Sequence, residues 1–196
     1  MNNSKNNILQ CALTLFSEKG YDAVGINEIT QKAGITKPTL YYFFQSKEGV
    51  FKAILEEYYV DFNHRLEMVC RYTPNTQNYE QDVFPVLVRI AEMYFAFAGD
   101  NTSFYLMLLS LLFAPPTAQT TILTRPYVKE QYRIMIQLFE AISMTHHNLK
   151  GKEEKCASYL IAMINTEIGF WYQGMGSLGT DKARKLVHQF MHGIFA

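Results

Sequence analysis

Apolar residues recur along this chain at spacings of three and four, and no segment holds a sustained two-residue alternation. The first period belongs to helices with one buried face, whereas a half-buried strand needs the second, so the pattern points to an all-α fold. With 196 residues and 48% hydrophobic content, the chain can build core for one or two compact domains.

Helix signals divide the first third into short pieces. Ser4 can cap a first helix with Ile8, Cys11, Ala12, Leu15 and Phe16 on one stripe, and Gly20 ends it. A second helix turns Ile26, Ile29 and Ala33 inward, with Gly25 at its cap and Glu28 completing half a capping box. Gly34 supplies a tight turn, Thr36 caps a third helix with Pro38 in its first turn, and Ser46 caps a long fourth. Thr73 to Gln81 reads as the loop after it, and further helices are expected near 82–98, 103–113, 122–146, 152–173 and 181–195. That makes about nine helices.

The stretch GITKPTLYYFFQSKEGVF, residues 34–51, carries the chemistry. Leu40, Phe43 and Phe44 share one face of the third helix, which leaves Pro38, Thr39, Tyr41 and Tyr42 on the other arc and Lys37 at the exposed end. Lysine can donate to guanine acceptors, and threonine can bond a base edge or meet a thymine methyl. Tyrosine hydroxyls, and Lys47 beside the next helix N-terminus, suit phosphate oxygens. Residues 1–52 hold six lysines against four acids in a chain of zero net charge, a small excess in the right place. A short aromatic helix between two others also suits ordinary core.

The segments ILQCALTLFSEKGYDAVGINEI and QKAGITKPTLYYFFQSKEGVFKAIL resemble the DNA-binding domain of the TetR (tetracycline repressor) family over about the first 55 residues. The succession glycine, turn, Thr-Lys-x-Thr-Leu-Tyr-x-x-Phe-x-Ser-Lys-Glu is specific to that pattern. Gly25 stands where a capping threonine is common, and Thr30 where a small alanine usually packs. The resemblance implies an N-terminal helix-turn-helix DNA-binding domain, residues 1–52, and a C-terminal helical domain for ligand binding and dimerisation, residues 53–196. It implies a homodimer on a palindromic double-stranded DNA operator, usually a repressor released by a small hydrophobic or aromatic effector. By position it assigns Thr36, Lys37, Pro38, Thr39, Tyr41, Tyr42 and Lys47 to DNA.

The body is less specific. Helix 152–173 has Ala157, Leu160, Ile161, Ile164, Ile168 and Trp171 on one apolar face, and Cys156, Tyr159, Met163 and Phe170 on another. A helix apolar on several sides must be covered on several sides. Pairing its first face and Leu186, Val187, Phe190 and Ile194 of the last helix with their symmetry mates resembles the family's dimer; burial of both in one subunit is the competing reading. Tyr94, Phe97, Phe104, Met107, Met135, Phe139, Met163 and Trp171 suit the wall of an apolar cavity and equally plain core. Glu167, a lone carboxylate in an apolar run, can face a cationic ligand group, pair across a dimer or reach solvent.

Other chemistries find little support. Cys11, Cys70 and Cys156 are odd in number and far apart, so no disulfide framework is expected. GMGSLG at 174–179 fits a dinucleotide motif but has no strand before it, and His188 and His192 lack a third metal ligand. No nucleophilic triad or carboxylate pair stands out, so neither an enzyme nor a cofactor or metal is expected. The start MNNSKNNILQ has no signal-peptide core, and the longest apolar run, Phe104 to Ala114, is short of the ~20 residues a membrane span needs, which points to the cytoplasm. The alternative function is a helical ligand-binding or adaptor protein without DNA binding.

Overall fold

A computed structural model describes residues 2–74 and 79–193. Among them are nine α-helices and no strand: α1 Asn2–Lys19, α2 Ile26–Ala33, α3 Lys37–Phe44, α4 Lys47–Val69, α5 Tyr79–Asp100, α6 Thr102–Leu111, α7 Gln119–Thr145, α8 Glu153–Tyr172 and α9 Thr180–His192. The all-α expectation holds. Two of its details do not: α1 starts before Ser4, which lies inside the helix rather than at its cap, and α5 begins at Tyr79, within the expected loop. Residues 75–78 of that loop lie outside the described residues.

The chain forms two compact units, residues 1–61 with 101–126, and residues 62–100 with 127–196; the division falls inside α4 and, just after Pro126, inside α7. In the first unit, Ile8, Leu9, Ala12, Leu13, Leu15 and Phe16 bury one side of α1. Phe16, Tyr21 and Phe51 close an aromatic triangle with centroid separations of 5.2, 6.0 and 5.0 Å. Phe16 and Phe51, both fully buried, each contribute about 1.5–3 kcal/mol, and half-buried Tyr21 joins the turn after α1 to them. Farther along α4, Tyr58 stacks on Phe104 at 4.8 Å and Tyr59 meets the same ring edge-on at 5.6 Å.

The second unit is built around Phe62, whose ring meets Tyr94 and Phe97 edge-on, each at 4.9 Å. The Tyr94 hydroxyl would be costly to bury alone; Gln131 donates to it at 2.8 Å. Asp82, also buried, accepts from the Tyr72 hydroxyl at 2.5 Å and lies 2.6 Å from His146 Nε2. Among the described residues, no helix is long and apolar enough to cross a membrane.

Candidate nucleic-acid interface

Three local devices position α3. Gly34, at φ 65° and ψ 33°, turns the chain out of α2, a left-handed conformation that costs glycine little, and Ile35 N donates back to Thr30 O at 3.0 Å. Asn7 Nδ2 donates to Ala33 O at 2.9 Å and fastens that end of α2 to α1. Beyond α3, Gln45 sits at φ 64° and Ser46 N donates to Phe44 O at 2.7 Å, which makes the turn into α4 abrupt. Ser46 Oγ then accepts from Gly49 N at 3.0 Å, the expected cap of α4.

The other expected caps differ. Gly25 stands at the α2 cap, but Glu28 does not reach back to it; its carboxylate pairs with Lys19. Thr36 occupies the cap position of α3, yet its hydroxyl meets Thr39 Oγ1 at 2.9 Å rather than a backbone N–H. Thr30 is accommodated in the core because its hydroxyl donates to Asn27 O at 3.0 Å, within its own helix.

Leu40 and Phe44 are buried, and Tyr41 and Tyr42 stand outward at 47% and 71% exposure. Thr36, Lys37 and Pro38 are exposed, and Thr39 is half-buried beside them. The outward arc is therefore one cationic, hydroxyl-bearing surface on a helix whose diameter of about 10–12 Å with side chains can enter a major groove about 12 Å wide. Lys47 is placed differently from a free phosphate ligand. Its ammonium donates to Tyr21 O and Val24 O, at 2.9 and 3.0 Å, and lies 4.1 Å from the Tyr21 ring centroid.

In the second unit a cavity of about 600 Å³ lies between α8 and its neighbours. Val83 and Leu87 of α5, Phe139 of α7, Leu149, Met163 of α8 and Phe190 of α9 supply apolar wall; Lys152, Asn148 and Cys156 are polar members. Of the residues expected at a ligand, Phe139 and Met163 line it. Tyr94, Phe97 and Met135 are fully buried in the core of this unit, while Phe104 and Met107 are buried in the first unit. Trp171 is half-buried outside the cavity lining, and Glu167 is paired with Lys182 at 2.7 Å. Lys152 went unremarked in the sequence, although it falls on one helix stripe with Cys156, Tyr159 and Met163, which were read together there.

The face of α8 expected to meet a second copy is already covered. Ala157, Leu160, Ile161, Ile164 and Ile168 are buried by the chain itself, as are Leu186 and Val187. Phe190 is half-buried against Phe139, with centroids 6.1 Å apart, and Ile194 lies outside the described residues. The outer stripe of α8 is the other face, where Tyr159 and Phe170 are 62% and 46% exposed. Its N-terminal half walls the cavity, and its C-terminal half, Thr166, Phe170 and Gln173, is clear of it. The His188 and His192 rings lie tilted at 44° with centroids 4.6 Å apart, and among the described residues no three His, Cys, Asp or Glu side chains converge on a metal position.

Residues 8–54, the segment that contains α2, α3 and the start of α4, match the model for bacterial regulatory proteins, tetR family. The biofilm operon icaADBC HTH-type negative transcriptional regulator IcaR of Staphylococcus aureus (strain Newman) is 33% identical over 95 residues, 46% of this chain and 49% of that protein. The chain thus spans at most about half the length of the curated relatives it matches. Similarity of fold extends further. A putative fatty acid metabolism regulator of Clostridium perfringens superposes with a TM-score of 0.80 at 18% identity, over 97% of this chain and 99% of that one. FadR of Bacillus subtilis, in complex with stearoyl-CoA, superposes with a TM-score of 0.77 at 14% identity, over 96% and 98%.

Proposed function

We propose that this chain is a regulator of the TetR family, a reading supported by the match of its residues 8–54, and that it acts as a ligand-responsive transcriptional repressor that binds a palindromic operator as a homodimer. The observation that carries the reading is the outward arc of α3, with Tyr41 and Tyr42 standing clear of a helix whose opposite side is buried. Lys37, Pro38 and Thr39, at the N-terminal end, meet base edges, while Thr36, Tyr41 and Tyr42 bond phosphates. Lys47 serves this surface mainly by fixing the turn between α1 and α2, with its charge adding attraction for the backbone. Two copies place their α3 helices in successive major-groove segments about 34–36 Å apart. The second copy docks on the C-terminal half of the α8 outer stripe.

Repression is favoured over activation because the staphylococcal relative is by name a negative regulator. The effector is an apolar molecule held in the α8 cavity, a reading supported by the mainly apolar walls and by the stearoyl-CoA complex of FadR. It releases the operator to the extent that it binds the DNA-incompetent conformers more tightly. The protein works in the cytoplasm, where its DNA lies.

Fluorescence anisotropy with duplexes tiled across the DNA flanking the protein's own coding region tests this. One segment should bind at least about a thousandfold more tightly than random duplex, with affinity that falls steeply with salt. Uniform weak binding to every duplex, or none at low ionic strength, would sink the reading.

A further inference from the structure

Resting on the reading of an effector-controlled regulator, we infer that the α8 cavity takes an amphipathic anion, a flexible acyl chain with one negatively charged head, and that Lys152 recognises the head.

The charge pattern of the lining carries the choice of head. Among its described lining residues Lys152 is the only one of lysine, arginine, aspartate or glutamate type. A cationic ligand would find no carboxylate there: Glu167 is outside the lining and already engaged by Lys182 at 2.7 Å. Lys152 is an exposed residue at the rim of the cavity. Its Nζ donates to Asn148 O at 3.0 Å, and Asn148 lines the same cavity. An ammonium has three donors, so this bond orients the group and leaves others to meet an anion. The first turn of α8 is not the anchor, because Glu153 already accepts N–H bonds from its own turn, which holds its carboxyl below the usual range.

The walls carry the choice of tail. Met163 and Met191 are unbranched and adaptable, and Leu87 and Leu149 continue an aliphatic surface. The two phenylalanines present, Phe139 and Phe190, are tilted 53° to one another at 6.1 Å, so they form no parallel slot for a planar aromatic guest. Cys156 lies one helical turn from Lys152, and partial burial pushes its thiol above the ordinary range while the nearby Lys152 charge pulls the other way. A volume of about 600 Å³ falls within the ~300–1,000 Å³ typical of small-molecule sites. A free long-chain carboxylate and an acyl thioester of a nucleotide carrier share this chemistry.

Isothermal titration of the full chain with dodecanoate, dodecanoyl-CoA, dodecanol and dodecylammonium, all below their micelle thresholds, tests the inference. Dodecanoate or its thioester should bind at least about tenfold more tightly than the alcohol or the amine, and the tighter of the two names the source. Lys152→Gln should bring the anion down to the level of dodecanol while dodecanol still binds, which shows that the cavity survives. Cys156→Phe should weaken every chain alike by filling the space. Equal binding of dodecylammonium and dodecanoate, or an anion affinity untouched by Lys152→Gln, would overturn it. Protein that takes dodecanoate through Lys152 but ignores all duplexes would leave this inference standing and remove the regulator; protein that reads its operator yet takes no anion would do the reverse.

Discussion

The Lys47 ammonium stands 4.1 Å from the centroid of the Tyr21 ring while donating to the Tyr21 and Val24 carbonyl oxygens at 2.9 and 3.0 Å. One side chain from the first turn of α4 therefore closes the turn between α1 and α2. Charged hydrogen bonds contribute about 1.5–3 kcal/mol, and a cation over a ring adds about 0.5–1 kcal/mol. Lys47→Ala should lower unfolding stability by about 1–3 kcal/mol and weaken all duplexes together. A normal urea midpoint with reduced DNA affinity would make Lys47 a phosphate ligand and nothing more.

Tyr42 makes the opposite case. At 71% exposure its hydroxyl has little to do with the fold, so Tyr42→Phe should leave stability within about 0.5 kcal/mol. Loss of a charge-assisted phosphate contact should weaken operator and random DNA alike by about 1–3 kcal/mol. Thr39→Ala should differ by relaxing preference at one base position, also at a cost of about 1–3 kcal/mol. Competition anisotropy over a set of single-base operator variants separates the two patterns.

Gly49 is needed for space rather than for backbone freedom. A Cβ there would fall 1.8 Å from the Phe44 carbonyl oxygen, and that oxygen belongs to the turn into α4. Overpacking costs about 1–3 kcal/mol when side chains can yield, and a backbone carbonyl yields less. Gly49→Ala should therefore lose at least about 3 kcal/mol by urea denaturation. An unchanged midpoint would mean that the α3–α4 turn can open without penalty.

Residues 25–51 were readable in the sequence because their arrangement is local: Gly34, Ser46 and the spacing of Leu40 and Phe44 all act within a few residues. Ser4 failed as a cap because α1 begins before it, and two other caps failed because a competing partner took the side chain. Glu28 had Lys19 nine residues away, and Thr36 had Thr39 one turn on. In α8 the limit was of another kind. Periodicity gave two apolar faces, but which one the chain itself covers depends on packing against α9 and against α5, the latter far away in the sequence. A cavity with Phe139 and Met163 in its wall was expected, but the rest of its lining was not legible for the same reason, since Lys152, Leu87 and Phe190 meet only through packing.

That facing makes a prediction about assembly. Ile164 is fully buried and Phe170 is 46% exposed on the same helix. Ile164→Ala should cost about 2–5 kcal/mol of stability through a cavity in the core. Phe170→Glu should leave the fold intact and place a charge in the proposed contact between copies. Sedimentation at micromolar concentration should then give a monomer for Phe170→Glu and a dimer for the parent chain. A Phe170→Glu dimer as tight as the parent would move the interface off the C-terminal half of α8.

Cys70 offers a test by pH. Burial, the largest influence, pushes its thiol from 9.0 up to about 12, and its sulfur lies 4.0 Å from that of Met135. The folded chain thus holds this proton more tightly than the unfolded chain does. The associated stability is fully present below the unfolded value and is lost as pH climbs towards the folded one. Urea midpoints measured from pH 8 upward should fall across that alkaline window, and Cys70→Ala should fall less steeply, which isolates the thiol from tyrosines such as Tyr132 whose ionisation burial also delays. A disulfide reagent at pH 8 should leave Cys70 unmodified until denaturant is added. Parallel pH profiles for the two proteins, or fast labelling of Cys70 in the native state, would show that water reaches the end of α4.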